Sequence, residues 1–185
     1  MVEHLKVTQP HLVLVTGLPG TGKSTIAEVA AELMDAPVLA HDWAMSGLRP
    51  FPDVQRALDL MKPPGHGPVG WSILRALARA SLRRNSSVIL DGVAREPEVE
   101  LCRVLAEDEA AKLVVILTEC ADLELHRSRI EDRTRAIPNW YELSWDDVQR
   151  SRMSWSPPEH VDLSVQSTHS CLKNRELVMK LLVEG

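Results

Sequence analysis

Gly17-Leu18-Pro19-Gly20-Thr21-Gly22-Lys23-Ser24 fits the pattern G-x-x-x-x-G-K-[ST] at every specified position. The apolar run Leu12-Val13-Leu14-Val15-Thr16 before it reads as a short buried strand. After it, Ile26, Val29, Ala30 and Leu33 recur at helical spacing and make one apolar face over Lys23–Met34. Glycines at 17, 20 and 22 permit φ values that a Cβ forbids, so successive N–H groups can point into one concavity. The helix beginning near Lys23 adds its positive dipole end and unpaired N–H groups. Pro19 stiffens the loop. This is chemistry for holding the phosphates of a nucleoside triphosphate. Lys23 is the point charge expected at the β- and γ-phosphates, and the Ser24 hydroxyl is expected to ligate Mg²⁺. A chance match in an ordinary glycine turn is the competing reading, and the strand before and helix after argue against it.

Working outward, four more apolar runs look like strands: Pro37–Ala40, Ser87–Leu90, Lys112–Thr118 and Val161–Val165. The runs Pro37–Ala40, Ser87–Leu90 and Lys112–Thr118 show little alternation, as expected of strands covered on both faces. Helices fit between and after the runs, over Val69–Arg84, Pro97–Ala110, Asp122–Ile130, Asp146–Met153 and Lys173–Val183. Pro97 suits a first helical position, and Ser144 with Asp147 reads as a capping pair. Lys62–Pro68, rich in proline and glycine, reads as a loop. Alternating elements imply a parallel sheet with helices on both sides, which binds ligands beyond the carboxyl ends of its strands.

Composition sets bounds. The chain has 185 residues, 44% hydrophobic and 25% charged, which fits one globular domain over 1–185. It contains no run of 18 apolar residues, and Met1–Pro10 is polar with Glu3, unlike a signal or transit peptide. Cys102, Cys120 and Cys171 lack metal or disulfide spacing and are expected to be buried thiols, so a cytoplasmic location is expected. The net charge of −5 argues against a broad nucleic-acid surface and leaves room for a small basic site.

Two acids fall where the strand-end rule points. Asp42 follows the second strand and Asp91 ends the third. Such an acid can hold Mg²⁺ or accept a proton from an attacking hydroxyl; the plain alternative is a cap or turn. Asp42 is assigned as base and Asp91 to the metal side, with the reverse assignment open. No glutamate follows Asp91 to activate water, and Thr118-Glu119-Cys120-Ala121-Asp122 is not a guanine-reading motif. Both absences favour transfer to a bound acceptor. His126 to Arg135 carries Arg127, Arg129, Arg133 and Arg135. It suits a lid over about 127–156 that excludes water and supplies counter-charge, with a solvated helix face as the alternative. Arg129 and Arg133 are the catalytic candidates. Arg75, Arg79 and Arg83 read as a solvated stripe. Trp43, Phe51, Trp71, Trp140, Tyr141, Trp145 and Trp155 all lie outside the predicted strands. They line a pocket for a ring-bearing acceptor or nucleobase, or they form the core of the lid.

Gly17–Thr25, Asp42, Val88-Ile89-Leu90-Asp91-Gly92 and Arg127/Arg129/Arg133 together resemble the small P-loop kinases related to nucleoside monophosphate kinases. The resemblance is to the zeta-toxin, chloramphenicol phosphotransferase, gluconate kinase and polynucleotide 5′-kinase branch. It implies a three-layer α/β/α fold with a five-stranded parallel sheet of order 2-3-1-4-5, ATP with Mg²⁺, and a short helical lid. The nucleotide would lie on Gly17, Leu18, Pro19, Gly20, Thr21, Gly22, Lys23, Ser24, Thr25 and Arg127. Metal ligands would be Ser24 and Asp91, and Asp42 the base. Ser167-Thr168-His169 would touch adenine. The expected activity is transfer of the γ-phosphoryl group of ATP to a hydroxyl of a small-molecule acceptor. The alternatives are an ATP-binding switch with little turnover and a nucleic-acid end kinase.

Overall fold

The computed structural model describes residues 9–62 and 65–184. Met1–Thr8 of the N-terminal segment and the Pro63-Pro64 pair lie outside the described residues. Five strands, β1 (His11–Thr16), β2 (Val38–Ala40), β3 (Val88–Asp91), β4 (Lys112–Glu119) and β5 (Leu163–Gln166), form one parallel sheet of order β2-β3-β1-β4-β5. The register is continuous: Val13 sits opposite Ile89 on one side and Val114 on the other. The expected P-loop NTPase topology is the observed one.

Alternation along the central strands sorts the core into two halves. Leu12, Leu14, Val88 and Leu90 face one way, under α4 (His66–Leu82) and α5 (Glu96–Asp108). Val13, Val15, Ile89 and Ile116 face the other, under α1 (Lys23–Met34) and α8 (Cys171–Glu184). Each fully buried aliphatic side chain contributes about 1.5–3 kcal/mol of transfer free energy, and every residue of β1 is buried. β1 therefore cannot shift in register without turning a whole apolar set to the wrong layer.

Several boundaries differ from the sequence expectation for physical reasons. β2 is an edge strand and is only partly covered, so its unbroken apolar run does not reflect burial on both faces. β5 begins at Leu163 rather than Val161, because the Asp162 carboxylate accepts the Val115 N–H at 2.7 Å just before the ladder starts. α4 begins at His66, absorbing the end of the expected loop; Pro68 stands in its first turn, where an N–H would have no helical partner. Two helices were not anticipated, α2 (His41–Ser46) and α3 (Pro52–Leu60). Pro97 occupies the first turn of α5, one place after Glu96. α6 (Leu123–Glu131) is capped by Asp122, which accepts from Glu124 and Leu125 N–H at 3.0 Å. α7 (Trp145–Ser154) starts with the anticipated Ser144–Asp147 capping pair. Arg79 and Arg83 do not form a free stripe: they pair with Asp108 and Glu109 and tie α4 to α5. Cys102 and Cys120 are buried as expected, and burial pushes the Cys102 thiol up to about 12. Cys171, at the exposed start of α8, is not buried.

Gly17 has φ +141°, and a Cβ there would stand 2.3 Å from the Thr118 carbonyl oxygen. Gly67, near the start of α4, has nothing within 4 Å of a built Cβ. Gly17→Ala is expected to lower unfolding free energy by about 2 kcal/mol or more. Gly67→Ala should leave it unchanged or raise it by up to about 1 kcal/mol. Urea titrations of the two variants test the contrast.

Candidate active site

The loop between β1 and α1 has the backbone its glycines foretell: Gly17, Gly20 and Gly22 all have positive φ. It is braced from two sides. From the sheet, the Thr118 and Thr21 hydroxyls lie 2.7 Å apart, and Thr21 Oγ1 donates to Leu18 O at 2.8 Å. From α6, His126 Nε2 meets Pro19 O at 2.7 Å; since a carbonyl only accepts, this nitrogen carries the proton. His126 is buried, with Trp145 edge-on to it at 5.2 Å, and burial holds its imidazole below the ordinary histidine range. Ile130 fills the space beside Gly20. Sequence reasoning read α6 for its arginines and missed this buried face, although His126 and Ile130 stand four apart in the helix.

Lys23 Nζ donates to Leu18 O at 3.0 Å, and Ser24 Oγ donates to Asp91 Oδ2 at 2.7 Å. Burial pulls the Lys23 ammonium below its usual range, while Asp91 and Asp42 oppose the shift. Burial raises the Asp91 carboxyl, with Lys23 and Ser24 opposing. Among the described residues no cluster of three or more His, Cys, Asp or Glu side chains could hold a metal. Mg²⁺ keeps several waters and takes one or two protein groups together with substrate phosphates. The Ser24 hydroxyl and the buried Asp91 carboxylate beside the loop are groups of that kind.

Asp42 lies in the first turn of α2. Its Oδ1 is 3.7 Å from His41 Nδ1, and its Oδ2 accepts from Arg135 Nη1. Burial pushes this carboxyl up, but the His41 and Arg135 contacts outweigh burial and hold it below the usual carboxylate range. α2 is seated by a close approach: a Cβ on Gly70 of α4 would come 2.3 Å from His41 Nε2. Arg135 was not singled out from sequence, yet it is the most connected arginine here. Beyond Asp42 it donates to Glu142 Oε2 at 3.2 Å and Tyr141 O at 2.8 Å. The signal available in the sequence, a fourth arginine in one segment, carried no direction.

The other arginines separate. Arg127 is exposed and pairs with Glu131 at 2.8 Å, four residues on; it lines neither cavity, so the solvated-face alternative describes it. Arg129 spends its fork on the β5–α8 loop, donating to Ser167 Oγ at 2.7 Å and Ser167 O at 2.9 Å. Arg133 is different. Its Nε is buried without a partner, and burial with Arg135 nearby depresses its guanidinium.

Two cavities flank the loop. The smaller, about 410 Å³, is lined by Gly20–Ile26, Thr118, Arg129, Ser167 and His169 among others. The larger, about 1120 Å³, runs past Asp91 and Asp42 to Arg135, Trp43 and Tyr141. Lys23, Ser24 and Arg133 line both. Trp71, Trp140 and Trp155 also line the larger cavity, whereas Trp145 packs on His126 and Phe51 lies elsewhere.

The sequence profile of the AAA_33 family, an AAA domain, matches residues 12–158. The chain belongs to this family. A protein of Mycobacterium tuberculosis is 37% identical to this AAA-domain chain over 127 residues, covering 60% of this chain and 24% of its own length. The chain thus spans about a quarter of the length of the curated relatives it matches. Among solved structures, a putative kinase from Chloroflexus aurantiacus superposes with TM-score 0.70 at 19% identity, covering 94% of this chain and 98% of that one. The Mycobacterium tuberculosis APS kinase CysC, in complex with AMPPNP and APS, superposes with TM-score 0.63 at 18% identity over 94% and 98%. At these identities the likeness establishes a P-loop kinase-like fold. Among the described residues no helix is long and apolar enough to cross a membrane.

The Asp42–Arg135 pair makes a signed prediction. A carboxyl depressed in the folded state adds stability above its unfolded pKa of about 3.9, and the gain fades as pH falls through the lower folded midpoint. Arg135→Gln should raise the Asp42 midpoint in a carboxyl carbon-13 titration. The stability gap between wild type and variant should be widest near neutral pH and narrow on acidification. A gap of constant size from pH 7 to pH 3 would contradict the pairing.

Proposed function

We propose that this chain is an ATP-dependent phosphotransferase that moves the γ-phosphoryl group to a hydroxyl of a small molecule. The observation carrying the reading is that Lys23, Ser24 and Arg133 line both cavities. One cavity suits a nucleotide and the other a second reactant, with the phosphate-loop lysine between them. A site built only to hydrolyse ATP needs room for a water, and the larger cavity far exceeds that. The kinase-like fold supports the reading.

The roles follow from chemistry. Backbone N–H groups of Gly17–Thr25 and the Lys23 ammonium hold the triphosphate. Ser24 and Asp91 would hold Mg²⁺, which would supply counter-charge to the phosphate oxygens. Arg133, whose Nε lacks a partner, answers the charge on the transferring group. Asp42 orients the acceptor hydroxyl and takes its proton. The acceptor oxygen forms the new P–O bond while the bond from the γ-phosphorus to the bridging oxygen breaks, and that electron pair leaves on ADP. A carboxylate held ionised is a weak base. It still suits this step, because a largely dissociative transition state demands orientation more than base strength. The 127–156 segment serves as the lid. Arg129 steadies the Ser167–His169 loop on the nucleotide side, while Arg127 remains outside the cavities.

ADP release measured against a metabolite panel should depend on one acceptor. Lys23→Ala should reduce it at least about a hundredfold. Equal ADP release with and without every acceptor would refute transfer. Arg133→Ala should slow acceptor-dependent release by about a hundredfold, whereas Arg127→Ala should change it less than about twofold.

A further inference from the structure

Aromatic side chains are scarce in this chain: five tryptophans, one tyrosine and one phenylalanine. Four of the tryptophans and the tyrosine line the larger cavity. They come from places far apart in sequence: Trp43 on α2, Trp71 on α4, Trp140 and Tyr141 before α7, and Trp155 after it. A private lid core would bury these rings together. Instead Trp43 is 55% exposed and Tyr141 50%. Trp140 and Tyr141 stack on each other at 5.1 Å, with the Arg49 guanidinium 5.6 Å from both ring centroids. Trp155 is fixed by its Nε1–H donating to Ala94 O at 2.8 Å. Trp43 is left presenting an indole to the cavity beside Asp42.

The charges of the same cavity are matched in number away from the phosphate and metal groups. Lys23, Arg133 and Asp91 are committed to phosphate and metal on the phosphotransfer reading. Arg49, Arg95 and Arg135 then face Glu28, Asp42 and Glu98, so the remaining wall carries no excess of either sign. Two of its three arginines are engaged by the protein itself. Arg135 is occupied by Asp42, Glu142 and Tyr141 O. Arg49 donates to Asn139 O at 3.4 Å and Gln55 Oε1 at 3.1 Å and lies on the two rings. Arg95 is the exception: it is exposed just before α5 and its guanidinium has no carboxylate or carbonyl partner among the described residues, so the wall does not select against an anionic substituent. Aromatic walls want a ligand with an apolar ring face.

We infer that the acceptor is an alcohol carrying a ring, which stacks on Trp43 and presents its hydroxyl to Asp42. This rests on the phosphotransfer reading and narrows it. It sets aside open-chain polyols and open-chain sugar acids, which have no ring face.

The test is calorimetric titration of the whole chain, saturated with a non-hydrolysable ATP analogue. Three ring alcohols, phenyl β-glucoside, 1-phenylethane-1,2-diol and phenyl β-glucuronide, are compared with the open-chain sorbitol and gluconate. At least one ring alcohol should bind about tenfold or more tightly than both open-chain compounds. Trp43→Ala should weaken that binding about tenfold, and Trp43→Phe should restore most of it. Trp43 is half exposed, so its removal leaves the fold intact. Tighter binding of sorbitol or gluconate, no binding of any ring alcohol, or indifference to Trp43→Ala would overturn the inference. ADP release driven by gluconate would overturn it while leaving phosphotransfer standing. A ring alcohol that binds through Trp43 and elicits no ADP, with the rest of the panel also silent, would do the reverse.

Discussion

At Gly17 the chain turns off β1 so close to β4 that the Thr118 carbonyl oxygen occupies the place of a side chain. That approach fixes the phosphate loop to the carboxyl edge of the sheet. Thr118 Oγ1 also donates to Thr16 O at 3.2 Å, joining the last residue of β1 to its neighbour. The loop's start is thus part of the sheet, and its far end is the first turn of α1. With both ends fixed, Lys23 and Ser24 have little freedom in where they stand. Asp91, at the end of the other strand flanking β1, falls within reach of Ser24 as a result. His126 and Ile130 then close the loop from above, which makes α6 a support for the nucleotide side before it is anything else.

The electrostatics follow from this crowding. Lys23, Arg133 and Arg135 are brought together in a partly dry space, each disfavouring charge on the others. Asp91 and Asp42 offset part of this, and Arg135 is fully engaged. Arg133 is not, and its unpartnered Nε marks where the protein alone leaves polar demand unmet. A polyanion beside the loop would relieve that repulsion. The site is therefore stressed when considered without a ligand and balanced with one, the usual character of a binding centre.

Much of this could be read from the chain because strong local patterns coincided with tertiary roles. The loop, its strand and its helix announce themselves in adjacent residues. Asp42 and Asp91 were legible because strand ends in a parallel sheet are where ligands gather. α2 was not, since six residues are too few for a helical period to show. α3 does carry a helical pattern after Pro52, with Val54, Ala57, Leu58 and Met61 at helical spacing, and was missed because it is short and only Leu58 of that face is buried. β2 looked like an inner strand because an edge strand with one apolar run reads the same as a covered one. Among the arginines, the spacing of Arg129 and Arg133 identified a helix face, but α6 ends at Glu131 and the two side chains part company there. Arg135 depends on Asp42, ninety-three positions away, and no local pattern encodes that pairing.

Gly70 belongs to none of the motifs. Yet the absence of its side chain lets His41 lie against α4, and His41 is the first residue of the helix that carries Asp42. The span between the phosphate loop and that carboxylate is therefore adjusted by residue size at one helical position remote from both. A larger residue at this position would push His41, and Asp42 with it, away from α4. The loop at Gly17–Ser24 is seated by β4 and α6 instead, so the two walls of the large cavity are set by separate contacts.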